Sequence, residues 1–233
     1  MNRLFLFFLL SWFLQNPILA LLIVAALSLP GYLYASGWMF RLLRHFRHWQ
    51  EIQRLRETVA VNPHNVAAQT DLGRELAMTG RPQEALEHLR AAEPRSTDSA
   101  ETLYFLGYSL LKCGDWEQGS HYVERALEID PKFRYGEPYL CLGDYHFERR
   151  QFAEALPYYE TFRSIHTSSA EGLYKLGRCY QELDRSAEAR EALTAAVEAF
   201  QTAPRYKRRE DRPWYRRAKR LFRRLPKGGD RQR

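Results

Sequence analysis

The sequence predicts an all-α protein: an N-terminal transmembrane helix, a solenoid of stacked helical hairpins, and a C-terminal capping helix. Three observations predict it. A Leu-Gly pair recurs at Leu72-Gly73, Leu106-Gly107, Leu142-Gly143 and Leu176-Gly177, so the glycines stand 34, 36 and 34 residues apart. A fixed period of that size marks units that cannot bury their apolar faces alone and therefore stack. No charged residue occurs between Arg3 and Arg41, a stretch long enough to cross a bilayer. The net charge of +7 is also segregated: residues 205–233 carry fourteen Lys/Arg against three Asp/Glu, and residues 62–204 carry fifteen against twenty-three. The expected organisation is a hydrophobic membrane segment at 1–40, a juxtamembrane helix at 41–64, four repeats at 65–200, and a basic tail with an amphipathic helix at 201–233.

The uncharged stretch reads LFLFFLLSWFL, then Gln15-Asn16-Pro17, then ILALLIVAALSLPGYLYASGWMF. As one straight helix it would reach about 55 Å, too long for a single upright crossing. Three arrangements remain open: a span from Trp12 to Tyr32, a short helix at 4–14 followed by a full span at 18–38, or a re-entrant hairpin turning near Asn16. One full crossing by residues 18–38 is the expected arrangement. The run is too long for a cleaved signal peptide and no small-x-small site follows it. Trp12, Tyr32, Tyr34 and Trp38 are candidate interfacial anchors. Arg41, Arg44 and Arg47 on the following flank, against Arg3 on the other, put the repeats on the cytoplasmic side. The expected location is a bacterial-type inner membrane. Residues 41–61 then carry Leu42, Leu43, Phe46, Trp49, Ile52, Leu55 and Val59 near helical period, and Asn62-Pro63 ends that segment.

Each Leu-Gly pair sits in a longer pattern. The second unit reads Leu103, Leu106, Gly107, Leu110, Gly119, Val123, Ala126 and Pro131; the third reads Tyr139, Leu142, Gly143, His146, Ala155, Tyr159 and Phe162. The fourth reads Leu173, Leu176, Gly177, Tyr180, Ala189, Leu193 and Ala196. The first keeps Leu72, Gly73, Leu76, Ala85, Leu89 and Ala92 but has polar Gln69 where a bulky residue is usual. In this register the chain resembles the tetratricopeptide-repeat (TPR) family over about residues 65–200. It departs at Gly119 and Phe162, both in places where alanine is usual. The resemblance implies a curved array that binds a protein partner, and it names no partner.

Chemical motifs are scarce. Cys113, Cys141 and Cys179 fall in different repeats without metal-ligand spacing and are expected as buried reduced thiols. His45 and His48 lack a third ligand, and His146 stands at a packing position. There is no HExxH, phosphate-binding glycine loop or nucleophile elbow. No catalytic residue, metal or cofactor is expected, and an enzyme is not the reading.

Transferring the family's groove register gives Thr70, Arg74, Tyr104, Tyr108, Leu140, Asp144, Phe147, Tyr174 and Arg178 as the partner-binding set. Thr70 and Arg74 do not reproduce the chaperone-binding carboxylate clamp. In the tail, Asp211-Arg212-Pro213 reads as a helix start. Trp214, Ala218, Leu221, Phe222 and Leu225 then recur at helical spacing opposite Arg216, Arg217, Lys219, Arg220, Arg223 and Arg224. That helix caps the array, or lies on lipid with Trp214 and Phe222 down and Arg216, Arg217, Arg220 and Arg224 toward phosphates, or does both. Nucleic acid is the weakest partner. The function expected is a membrane-tethered TPR scaffold or adaptor for a partner protein. The alternative is an integral accessory subunit that meets its complex through the apolar N-terminal segment.

Overall fold

The computed structural model describes residues 38–225 together with Trp12, Gln15, Asn16, Ile18, Leu19, Ile23 and Val24. The chain divides into two units, Met1–Glu57 and Thr58–Arg233. In the first, α1 begins at Trp38 and runs to Val61, with Leu42, Leu43, Phe46 and Trp49 exposed and Ile52 and Leu55 buried. Phe46 and Trp49 stack at 5.8 Å. Among the described residues no helix is long and apolar enough to cross a membrane. The expected span at 18–38, with Tyr32 and Tyr34, lies almost wholly outside the described residues.

In the second unit local side chains set where helices start. Asn65, Ser99, Asp115 and Ser169 each accept a hydrogen bond from the backbone N–H three residues on, satisfying a donor that the first turn cannot. Pro82 and Pro138 stand in opening turns, where a missing N–H costs little. The resulting helices are α2 (Val66–Met78), α3 (Pro82–Ala92), α4 (Ala100–Cys113), α5 (Trp116–Ile129), α6 (Glu137–Glu148), α7 (Phe152–Ile165), α8 (Ala170–Glu182), α9 (Ser186–Thr202) and α10 (Arg205–Arg224). They pair as hairpins α2–α3, α4–α5, α6–α7 and α8–α9, and each hairpin packs on the next.

The repeat signature is the core. Leu72, Leu89, Leu103, Leu106, Leu142, Leu176 and Leu193 are fully buried, and Ala85, Ala155 and Ala189 sit with them. Two departures from the repeat pattern have packing reasons. At Gly107 a Cβ would stand 2.6 Å from the Gly119 carbonyl oxygen, so α4 and α5 meet backbone to backbone where the usual alanine is missing. Phe162, in place of the usual second alanine, lays its ring over Gly172, where a Cβ would stand 2.5 Å from Cδ1. The larger residue of one repeat is matched by the absent side chain of the next.

Two expectations are corrected. Cys113 is exposed, because it is the last residue of α4 before the left-handed Gly114 cap; Cys141 is half-buried and Cys179 buried. The tail helix starts at Arg205, with Pro204 as its N-cap, rather than at Asp211. Arg208 donates to the carbonyls of Ala203 and Gln201, closing the turn from α9, and Pro213 is carried inside the helix. As expected of a cap, α10 covers the last repeat, packing on α8 and α9. Ala218 is wholly buried, Trp214 lies against Tyr174 at 5.7 Å, and Tyr215 stacks on Phe200 at 4.3 Å.

Candidate functional site

The first helices of repeats two to four, α4, α6 and α8, wall a hollow of about 810 Å³. Helical spacing puts Tyr104, Tyr108 and Lys112 on one wall, Leu140, Asp144 and Glu148 on the next, and Glu171 and Lys175 on the third. The loop Phe133–Gly136 forms one lip, and its geometry is unusual. Arg134 and Tyr135 are left-handed at φ 47° and 57°, ahead of Gly136 at 81°. A left-handed backbone costs a non-glycine residue roughly 1–2 kcal/mol. The loop is held by Arg134, which donates to Glu137 at 2.5 Å and lies over the Phe105 ring at 5.4 Å.

The centre of the hollow is polar and internally paired. Lys175 bridges Asp144 at 2.6 Å and Glu171 at 2.7 Å, and Asp144 also accepts from the Tyr159 hydroxyl at 2.8 Å. Burial works to lower the pKa of Lys175, but the two carboxylates outweigh it and hold the ammonium above its ordinary value. Burial, with Asp144 beside it, raises the Tyr159 phenol strongly, and burial pushes the Cys141 thiol up to about 12. A thiol in that state is a poor nucleophile at neutral pH. Towards the mouth the surface turns aromatic. Trp116 stacks on Tyr145 at 6.0 Å, Arg149 lies over Tyr145 at 5.5 Å, and Lys112 lies 5.4 Å from the Tyr108 ring. Rings on rigid helices beside charged groups bind segments of protein better than they do chemistry.

A second hollow of about 230 Å³ adjoins α6, α8 and α10, with Asp144 on both. Here Arg178 lies 4.5 Å over the Phe147 ring, and Trp214 takes Arg217 at 4.6 Å and Lys175 at 5.5 Å on its face.

Of the expected groove residues, Tyr104, Tyr108, Leu140 and Asp144 line the large hollow and Phe147, Tyr174 and Arg178 the small one. Tyr104 is 1% exposed, ringed by Phe105, Tyr108 and Phe133, so it is floor and not reachable surface. Leu140 is likewise buried. Thr70 is corrected: it is buried at the contact of α2 with α4, its hydroxyl 3.0 Å from that of Thr102. Arg74 lines neither hollow and is taken up by Asp71 at 2.8 Å and Glu101 at 2.7 Å. Trp116, Arg134, Tyr135, Tyr145 and Lys175 were not expected there. Only Lys175, one turn from Glu171 on the helix that carries Tyr174 and Arg178, had a sequence signal.

The expected lipid-facing set also separates. Arg44, Arg47, Arg216, Arg220 and Arg224 are exposed, as is Trp12 at 81%. Trp38 and Arg41 fall in the opening turn of α1. Trp214 and Phe222 are corrected: both pack onto the array, Phe222 beneath Arg190 at 5.1 Å, and Arg217 turns in over Trp214.

Tetratricopeptide-repeat profiles match residues 52–100, 100–133 and 146–208. A BBSome complex member, the BBS4 homolog of Drosophila melanogaster, is 24% identical over 181 residues, 72% of this chain but 36% of the fly protein. The chain thus spans about a third of that relative. A crystal structure of MamA superposes with a TM-score of 0.58 at 23% identity, over 64% of this chain and 86% of MamA. A thermophilic TPR protein of Thermus thermophilus gives 0.60 at 19%, over 78% and 95%. YrrB, described as a TPR protein with an unusual peptide-binding site, gives 0.53 at 18%, over 72% and 91%. At these identities the structures establish the fold alone. The profiles and the hairpin stack agree: between residues 52 and 208 the chain carries tetratricopeptide repeats.

Proposed function

We propose that this protein is a membrane-tethered TPR scaffold that holds a segment of a partner protein in the hollow between α4, α6 and α8. The observation that carries this is the hollow itself: about 810 Å³, open, with half-buried Tyr108, Trp116 and Tyr145 around a paired polar centre. Such rings on fixed helices lose little entropy when a partner docks. The fold likeness to YrrB and the complex membership of the fly relative support a binding role. The tether is the uncharged run before Arg41, with the array at the cytoplasmic face of a bacterial-type inner membrane, following the flanking arginines. The same run favours the second reading, an accessory subunit that meets its complex through the apolar segment.

Photoreactive residues in place of Tyr108 or Tyr145, and separately within 18–38, separate the two. Crosslinks from the groove to a partner that the Tyr108→Ala, Trp116→Ala variant no longer co-purifies support the scaffold. Crosslinks from 18–38 alone, with co-purification unchanged in that variant, support the accessory subunit and refute the groove.

A further inference from the structure

In the repeat body, residues 62–204, acids outnumber bases by twenty-three to fifteen. Arg74, Arg81, Arg134, Arg163, Lys175 and Arg185 each pair with a carboxylate. Helix α10 is built the other way. It carries eleven Lys/Arg and two Asp/Glu in twenty residues. One of the two acids, Asp211, is buried with Oδ2 unbonded, so it neutralises nothing at the surface.

At 100° per residue Arg205, Arg212, Arg216 and Arg223 fall within about 20° of one line along α10, with Arg220 and Lys219 beside it. The row is about 27 Å long at roughly 1.5 Å per residue. Arg205, Arg212, Arg216, Arg220 and Arg223 are exposed, and the ion pairs among the described residues include none of them. Like charges at i,i+4 on a helix oppose one another, so a bare row of this kind is maintained against the helix's own interest.

The aromatic rings of α10 narrow the choice of partner. Trp214, Tyr215 and Phe222 are committed to Tyr174, Phe200 and the Arg190 guanidinium. None of these three is free to stack on a nucleobase or to enter an acyl layer, and the exposed ring of Tyr206 lies about 100° round the helix from the row, so the row itself offers basic charge. We infer that this face docks on an anionic phospholipid surface, held by headgroup charge without insertion. The choice of lipid over nucleic acid rests on the reading of the N-terminal run as a membrane segment; the row itself does not. Apposition by charge adds no second anchor in the acyl layer. Polybasic segments gain from an anionic leaflet only within a Debye length, so the contact is close and salt-sensitive.

The test uses the full chain with phosphatidylcholine vesicles, with and without phosphatidylglycerol, and reads phenylglyoxal modification of each arginine by mass spectrometry. Phosphatidylglycerol should slow modification of Arg212, Arg216, Arg220 and Arg223 at least about tenfold at low salt, reversibly at high salt. Arg95 and Arg149, on the repeats, should keep their rates. Replacing the four arginines by Gln should abolish the vesicle-dependent gain in binding with helicity unchanged, and replacing them by Lys should retain it. Equal modification in both vesicles, in a chain of native helicity, overturns the inference. So does stronger protection by a polyuridine strand than by phosphatidylglycerol, which reassigns the face to nucleic acid. Flotation with pure phosphatidylcholine reads the N-terminal tether separately. A chain that fails to float there, yet shows salt-reversible protection with phosphatidylglycerol, loses the tether and keeps the docking face.

Discussion

Substituting Gly172 by Ala adds one methyl group where the ring of Phe162 already lies. The added Cβ would stand 2.5 Å from Cδ1, with Cε1 pressed against it as well. Carbon atoms rest at about 3.5–4.0 Å, so the ring must retreat by about 1 Å or more. It has little room: Phe162 is buried and its ring also meets His166 edge-on at 5.6 Å. Overpacking of this kind costs about 1–3 kcal/mol. Alanine returns up to about 0.8–1 kcal/mol in helix propensity, less at the start of a helix, where Gly172 sits. The net expectation is a loss of about 1–2 kcal/mol. Phe162→Ala alone should cost about 3–5 kcal/mol by leaving a cavity. In the double variant the methyl group enters vacated space, so the two costs should fall short of their sum by at least about 1 kcal/mol. Urea unfolding followed by circular dichroism measures the three differences. Because a solenoid's stability is local, hydrogen exchange should loosen first in α7 and α8. A stabilised Gly172→Ala, or strictly additive costs, would refute the interlock.

Lys175→Met should cost about 1–2 kcal/mol, less than the roughly 3–5 of a fully buried pair because Asp144 and Glu171 keep partial access to water. Lys175 and Tyr159 hold their protons more tightly folded than unfolded, so that contribution is complete below their ordinary values near pH 10 and is lost as pH rises through the higher folded values. The urea midpoint should therefore fall above about pH 10, less steeply in Tyr159→Phe. Burial raises the Asp211 carboxyl, so at neutral pH the fold holds a charge it disfavours. Asp211→Asn should stabilise the chain at pH 7, and the gain should vanish below about pH 4, where both states of Asp211 are neutral. Trp214→Ala should cost about 1–3 kcal/mol through loss of the contact with Tyr174, read as a lower melting temperature; no change would mean that α10 is not a cap.

The solenoid was legible because its period, its Leu-Gly pairs and its turn residues are local or regular signals. The groove was half legible. Register found Tyr108, Asp144 and Phe147 because exposure there follows helix phase. It failed at Thr70, where phase is right but the neighbour Thr102 supplies a buried partner from the next repeat. It also missed Arg134 and Tyr135, whose place on the lip depends on consecutive left-handed residues that only the surrounding packing selects. Asp211-Arg212-Pro213 misled for a related reason: a strong local start signal was overridden by Arg208 reaching back to the end of α9. In the tail the spacing of Trp214 and Phe222 showed an apolar side but not what covers it.

The bare arginine row has a thermodynamic consequence of its own. Most surface charge in a folded protein is attractive on balance, and added electrolyte weakens it. Along α10 the nearest-neighbour terms are repulsive, at Arg212 with Arg216, Arg216 with Arg220, and Arg220 with Arg223, each about 0.2–0.5 kcal/mol at low ionic strength. Much of what keeps that helix seated is apolar, through Ala218 and the rings of Trp214 and Tyr215, and such contact responds little to dilute counterions. Sodium chloride should therefore firm the C-terminal end of the solenoid while it loosens the ion pairs of the repeats. Melting of the last hairpin and melting of the first would then move in opposite directions as the buffer is concentrated.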